Sequence, residues 1–193
     1  MDAKNIVSLI FEWGHLRKIK HEGFRYLGVS DPESVADLNL HAAQIAYVLA
    51  KMERYEKPLE VVGISVFHEI GESRIGDLHR IADRYVVKEE KKAVEDQLSK
   101  FDFKNEILKL WEQAENRSTN AGNIAKDADL LQTCFVIREL QEHGHNTGDW
   151  LSNTRKYLKT DSAKSLLDAL EKTSPLDWMK DLKTFRNLKK FGD

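Results

Sequence analysis

The residues most able to do chemistry lie in one stretch, Phe67-His68-Glu69-Ile70-Gly71-Glu72-Ser73-Arg74-Ile75-Gly76-Asp77. On a continuous helix His68 and Glu72, four residues apart, share a face, with Glu69 three residues before Glu72. An imidazole flanked by two carboxylates can hold a divalent metal and leave one acid free to carry a proton. Taken alone, a His-Glu pair reads more simply as a hydrogen-bonded structural pair, so the chemistry needs support from elsewhere in the chain. Gly76-Asp77 suggests a tight turn that aims Asp77 back at the same place.

The elements that must position these groups are helical. After the Asp31-Pro32-Glu33-Ser34 start signal, Val35, Leu38, Ala42, Ile45, Ala46 and Leu49 recur at the spacing of one helix face. A second helix is expected from Pro58 through Val61, Ile64, Val66, Phe67 and Ile70 to Gly71. Further helices are expected over 88–100, 105–116, 121–143, 148–158, 162–172 and 175–185. No alternating strand pattern, repeat or low-complexity segment interrupts them, and the three prolines, Pro32, Pro58 and Pro175, sit at junctions. The fold class is therefore all-α, a helical bundle. Residues 1–193 are read as a single domain, with a core over about 9–145 and a helical C-terminal extension over 146–193.

Composition narrows the function classes. Hydrophobic residues at 41% and charged residues at 32% describe an ordinary globular chain, able at 193 residues to bury a core. A net charge of −2 argues against a general nucleic-acid or membrane-surface binder. No signal peptide is read at Met1-Asp2-Ala3-Lys4, and no apolar run approaches the roughly 20 residues needed to span a bilayer. A cytoplasmic protein is expected. The single cysteine, Cys134, beside Phe135, reads as a core residue rather than a nucleophile. The basic tail Lys183–Asp193 reads as a solvated helix end.

His68-Glu69, Gly71-Glu72 and Gly76-Asp77 together resemble the His-Asp, Gly-Glu and Gly-Asp core of the HD-domain metal-dependent 5′-deoxynucleotidases. Asp31-Pro32-Glu33-Ser34-Val35-Ala36-Asp37 looks like that family's lead into its first metal-ligand helix. Lys126-Asp127-Ala128-Asp129 looks like the segment that supplies its distal Asp ligand. The resemblance spans about residues 9–145, with all segments in order. It implies an HD-type helical fold, a divalent metal such as Co, Mn or Mg, a nucleotide as small-molecule substrate, and a homodimer. Carried over by position, it makes His68, Glu69 and Asp129 metal ligands, Glu72 the general acid/base, and Asp77 a contact to the substrate sugar. His21 and Phe24 fall where the family has Arg and Trp near the phosphate.

Three departures from that pattern bear on activity. Leu38 stands where the family's first ligating His should be, and leucine has no lone pair. Glu69 replaces Asp and displaces a carboxylate by about one methylene, against a tolerance of about 0.2 Å in real metal sites. His21 replaces a permanently charged, bidentate phosphate donor. His41, three residues after Leu38 but about 4.5 Å further along the helix axis, is a candidate substitute ligand. His79 is a second candidate, more simply read as exposed and paired with a neighbouring acid.

Three readings follow. The first is a metal-dependent phosphohydrolase of impaired activity on deoxynucleoside 5′-monophosphates. The second is an engineered or evolved variant in which Leu38 makes the pocket apolar, with Gly63 and Ser65 leaving space. There Glu69 or Glu72, with a raised pKa, would abstract a proton from a non-natural substrate without metal. The third is a non-catalytic relative that binds a nucleotide or a protein partner.

Overall fold

A computed structural model describes residues 2–180 and Leu182. Among these residues there are nine α-helices and no strands, so the all-α class stands. They are α1 (Ala3–Trp13), α2 (Val35–Met52), α3 (Pro58–Phe67), α4 (Glu72–Ile75), α5 (Glu90–Gln97), α6 (Lys104–Asn116), α7 (Asn120–Glu142), α8 (Trp150–Arg155) and α9 (Asp161–Leu170). The helix expected over 175–185 is a short 3-10 turn, Asp177–Met179, within the described residues. The rest of that helix and the basic tail lie outside them. No described helix is long and apolar enough to cross a membrane.

The centre of the fold is α7, which packs along both α2 and α3. Its apolar face, with Leu131, Cys134 and Ile137, meets Leu49 of α2, Val61 and Ile64 of α3, and Leu167 of α9, all fully buried. Cys134 is a core residue, its thiol pushed up to about 11 by burial. A second apolar cluster, built on Leu9, Ile70, Val94, Leu98, Phe101 and Trp111, closes the other side of α3. The segment that carries His68 to Glu72 leads from Ile64 in the first cluster to Ile70 in the second.

Two local devices aim the site. A capping box starts α2: Ser34 Oγ accepts from the Asp37 amide at 3.2 Å, and Asp37 accepts from the Ser34 amide at 3.0 Å. Such a cap contributes about 1 kcal/mol and fixes the rotation of the helix, here with Leu38 and Asn39 turned inward. Just before it, a short antiparallel bridge pairs Lys20 with Ser34, and the His21 amide donates to the Glu33 carbonyl at 3.0 Å. His21 is thereby pinned beside the start of α2.

The helix expected to run to Gly71 ends earlier, at Phe67. The His68 ring takes the Ser65 carbonyl at 2.7 Å, and the chain continues through i→i+3 bonds, Glu72 N to Glu69 O and Arg74 N to Gly71 O. Tighter winding of this kind changes the angular spacing of side chains. His68 and Glu72 are therefore not one continuous helix face; Glu72 opens the separate short α4.

Candidate metal centre

His68 closes α3, and its ring is buried. Because a carbonyl only accepts, the bond to Ser65 requires Nδ1 to carry the proton, which leaves the Nε2 lone pair facing inward. Nε2 lies 3.1 Å from Glu69 Oε1 and 3.4 Å from Asp129 Oδ1, but it is out of line for a hydrogen bond with either. Ligand atoms from His68, Glu69 and Asp129 all fall within 4.8 Å of one another. A buried nitrogen without a hydrogen bond, facing two carboxylate oxygens, suits a cation set among the three. These residues fit a divalent metal.

Without a metal the cluster holds protons instead. Burial opposes a charge on His68, but the Glu69 and Asp129 carboxylates outweigh it and raise the imidazole well above its ordinary value. Burial pushes Glu69 upward, yet His68 and then Lys126 hold it down at about 2. Asp129 is also driven down against burial, chiefly by Lys126, whose Nζ lies 2.9 Å from its Oδ2. The expectation of a raised Glu69 is thus overturned by the two cations beside it. Glu72 behaves as expected: burial first, then the charges of Glu69 and Asp77, raise it to about 10.

The cluster opens into a cavity of about 470 Å³. Glu69, Glu72, Asp77, Asp129, Leu38 and His21 line it, so six of the residues singled out in the sequence converge there. Gly76, at φ +76°, makes the turn that delivers Asp77, whose carboxylate accepts from the Glu22 amide at 2.6 Å. Burial raises the Asp77 carboxyl, opposed first by the His21 charge. His21 is itself raised; burial works against this, and the Glu33, Asp77 and Asp129 carboxylates overcome it.

Other expectations are not met. Phe24 is fully buried and does not line the cavity; it lies beneath His21 and Trp150, with ring centroids at 4.4 Å and 6.0 Å. Among the described residues His79 pairs with no acid: its Nδ1 accepts from the Ala82 amide, and its ring packs edge-on against Tyr26. His41 lies against Phe135 and is not part of the metal-capable cluster. The surroundings of Glu69 and Glu72 are not apolar either. Leu38 and Leu130 add apolar surface, but Lys88, Lys126, Asp77 and Asp129 also face the space.

Lys126, Lys88 and Trp150 are among the lining residues that carry no role in the sequence reading. Lys126 had a usable signal, since it precedes Asp129 by three residues on a helix and so shares its face. Lys88 and Trp150 had none, because they arrive from an irregular segment and from the C-terminal extension.

A helical bundle presenting a His-acid pair and a distal Asp on two separate segments fits the HD-domain class. The sequence profile described as "HD domain" matches residues 13–171, and the chain belongs to this family. Among characterised relatives, the human 5′-deoxynucleotidase HDDC2 is 28% identical over 153 residues, covering 76% of this chain and 73% of that protein. The Xenopus laevis 5′-deoxynucleotidase HDDC2 is 23% identical over 176 residues, 87% of each chain. A solved structure of a conserved hypothetical protein from Pyrococcus furiosus superposes with a TM-score of 0.73 at 27% identity, covering 86% of this chain and 99% of that one. A predicted metal-dependent phosphohydrolase from Magnetospirillum magnetotacticum shares the fold, with a TM-score of 0.69 at 22% identity, over 86% and 92% of the two chains.

Proposed function

We propose that this chain is a metal-dependent phosphohydrolase that releases phosphate from deoxynucleoside 5′-monophosphates. The observation that carries the reading is the convergence of His68 Nε2, Glu69 and Asp129 at the end of a cavity also lined by Glu72. The names of the HDDC2 relatives support the nucleotide as substrate.

His68, Glu69 and Asp129 would hold the cation, with Co²⁺, Mn²⁺ or Mg²⁺ as candidates. When bound, it supplies Lewis-acid polarisation of the phosphoryl group. Glu72 is the proton carrier: its raised carboxyl keeps a proton near neutral pH and can pass it to the departing 5′-oxygen. Asp77 is anchored to the Glu22 amide through one oxygen, which leaves the other for a sugar hydroxyl. His21 faces the same space and, when protonated, can donate to a phosphate oxygen.

Phosphate release from a panel of deoxynucleoside 5′-monophosphates, with and without Co²⁺ or Mn²⁺, tests the reading alongside the metal content of the purified protein. Metal-stimulated release from the monophosphates is expected. No bound metal and no release would overturn it.

A further inference from the structure

The cavity must admit a phosphate dianion, yet the Glu69, Asp77 and Asp129 carboxylates line it. Like charges facing one another in a partly desolvated space repel strongly, so a fixed positive charge is needed beside the metal. Three of the four cationic side chains are tied to a metal ligand, to the lead-in of α2 or to an aromatic ring. Lys126 is held on Asp129, His21 faces Glu33 at 3.8 Å, and the Arg80 guanidinium lies over the Tyr157 ring at 5.0 Å.

Lys88 is built differently. It enters the cavity from the irregular segment before α5, and its Nζ forms an ion pair with Glu90 Oε2 at 2.7 Å. Glu90 is buried, and its second oxygen has no hydrogen-bond partner among the described residues. The carboxylate fits only because residue 71 is glycine: a Cβ there would stand 2.4 Å from Glu90 Cγ and 2.9 Å from Oε1. A buried carboxylate with one unsatisfied oxygen is costly for a fold that only needed to start a helix. What it achieves is to hold the ammonium of a cavity lysine in place, with N–H donors left for a ligand.

We infer that Lys88, anchored by Glu90 against Gly71, docks the phosphate of the substrate and supplies the fixed positive charge that position 21 lacks. The inference rests on the phosphohydrolase reading for its substrate, but anion docking can be measured without turnover. Glu90 is a positioning residue, acting through Lys88.

The test is calorimetric binding of inorganic phosphate, with and without Mn²⁺, to the wild-type chain, Lys88→Met, Lys88→Arg and Glu90→Gln. Mn²⁺ binding and thermal unfolding are followed in parallel. Lys88→Met is expected to weaken phosphate by about 10- to 100-fold, the loss of charged hydrogen bonds, while Mn²⁺ binds as tightly as before or tighter. Lys88→Arg should recover part of the loss, and Glu90→Gln should fall between. Unchanged phosphate binding in Lys88→Met, or no phosphate binding by the wild type, would overturn the inference. So would a joint loss of phosphate, Mn²⁺ and thermal stability, which would mark a purely structural ion pair. A wild type that binds phosphate through Lys88 but hydrolyses no monoester would sink the enzymatic reading and leave the docking site standing.

Discussion

The two ends of the cavity are built on different principles. At the metal end, His68, Glu69 and Asp129 are held by contacts of a few residues' range: His68 to the Ser65 carbonyl, and Asp129 to Lys126 three positions earlier. At the far end the wall comes from the C-terminal extension. There Trp150 and Asn153 of α8 line the space together with Tyr26 and His79. Beside the Glu53 bond to the Ser162 amide and the burial of Leu158, Leu167 and Leu170 in the core, one long-range anchor of the extension is Asp127. This fully buried carboxylate pairs with Arg117 and accepts from the Lys159 amide at 3.0 Å and the Thr160 amide at 2.7 Å. Neighbouring residues of α7 thus serve both ends, Asp129 facing the cation site and Asp127 gripping the extension. Chemistry and recognition should therefore fail separately when the two ends are mutated.

The largest separation is expected at Glu72. Glu72→Gln should lower kcat by about 10²- to 10⁴-fold, the usual contribution of a general acid, while Mn²⁺ affinity stays within a few-fold. The same variant has a signature in the metal-free protein. Glu72 is raised from 4.5 to about 10 in the fold, so the fold is favoured while the carboxyl stays protonated and loses stability as pH rises across that interval. Glu72→Gln should lose less stability than wild type between pH 6 and pH 9. A variant whose thermal melts track the wild type at both pH values would show that the buried acid is not neutral.

Next in size, Asp127→Ala strips this anchor from the extension, leaving the Lys159 and Thr160 amides without that acceptor and Arg117 without its counter-charge. Breaking a buried ion pair in this way costs about 3–5 kcal/mol. For a chain of this size that corresponds to a fall in Tm of roughly 6–20 °C. Differential scanning calorimetry measures it, and Mn²⁺ binding to the folded variant should be retained. Loss of Mn²⁺ binding at temperatures well below the melt would mean that the two ends are one unit.

Leu38→His sharpens the comparison at the metal end alone. Leu38 is buried and lines the cavity beside the cluster, where a fourth donor would complete the set. Mn²⁺ affinity should rise at least about 10-fold, as expected for a gain at or beyond the scale of an outer-shell contact. In both proteins affinity should fall as pH drops, because the cation must displace the proton that Glu69 and Asp129 stabilise on His68. Calorimetry that finds no gain in affinity would show that position 38 does not reach the cation.

The same contrast explains what could be read from the sequence. The capping box of α2 is a local pattern of residue types, and so is the series of helix faces converging on α7. Asp77 was placed correctly because a glycine at positive φ precedes it. The early end of α3 was missed because a ring nitrogen, not a backbone amide, claims the Ser65 carbonyl. Phe24 was misplaced because its burial depends on Trp150, more than a hundred residues away in the chain. The Lys88–Glu90–Gly71 contact was hidden for a similar reason: Gly71 looked like a motif position, and only the fold shows a carboxylate in the space its missing side chain leaves.

The smallest effect should come from the far wall. Trp150 is half-buried, its ring resting on Phe24 and on the backbone of Gly23, where a Cβ would meet it at 3.7 Å. That support leaves the ring rigid, and stacking a flat group on such a surface contributes about 0.5–1.5 kcal/mol. Trp150→Ala should therefore raise KM for a deoxynucleoside monophosphate by about 2- to 10-fold with kcat unchanged, and Trp150→Phe should raise it less. A monoester without a ring, such as glycerol phosphate, should lose nothing with either variant. Equal losses for both substrates would mean that α8 only props up the cavity and that the far end reads nothing. A loss confined to the ring-bearing substrate would assign specificity to the extension and leave chemistry with α3 and α7.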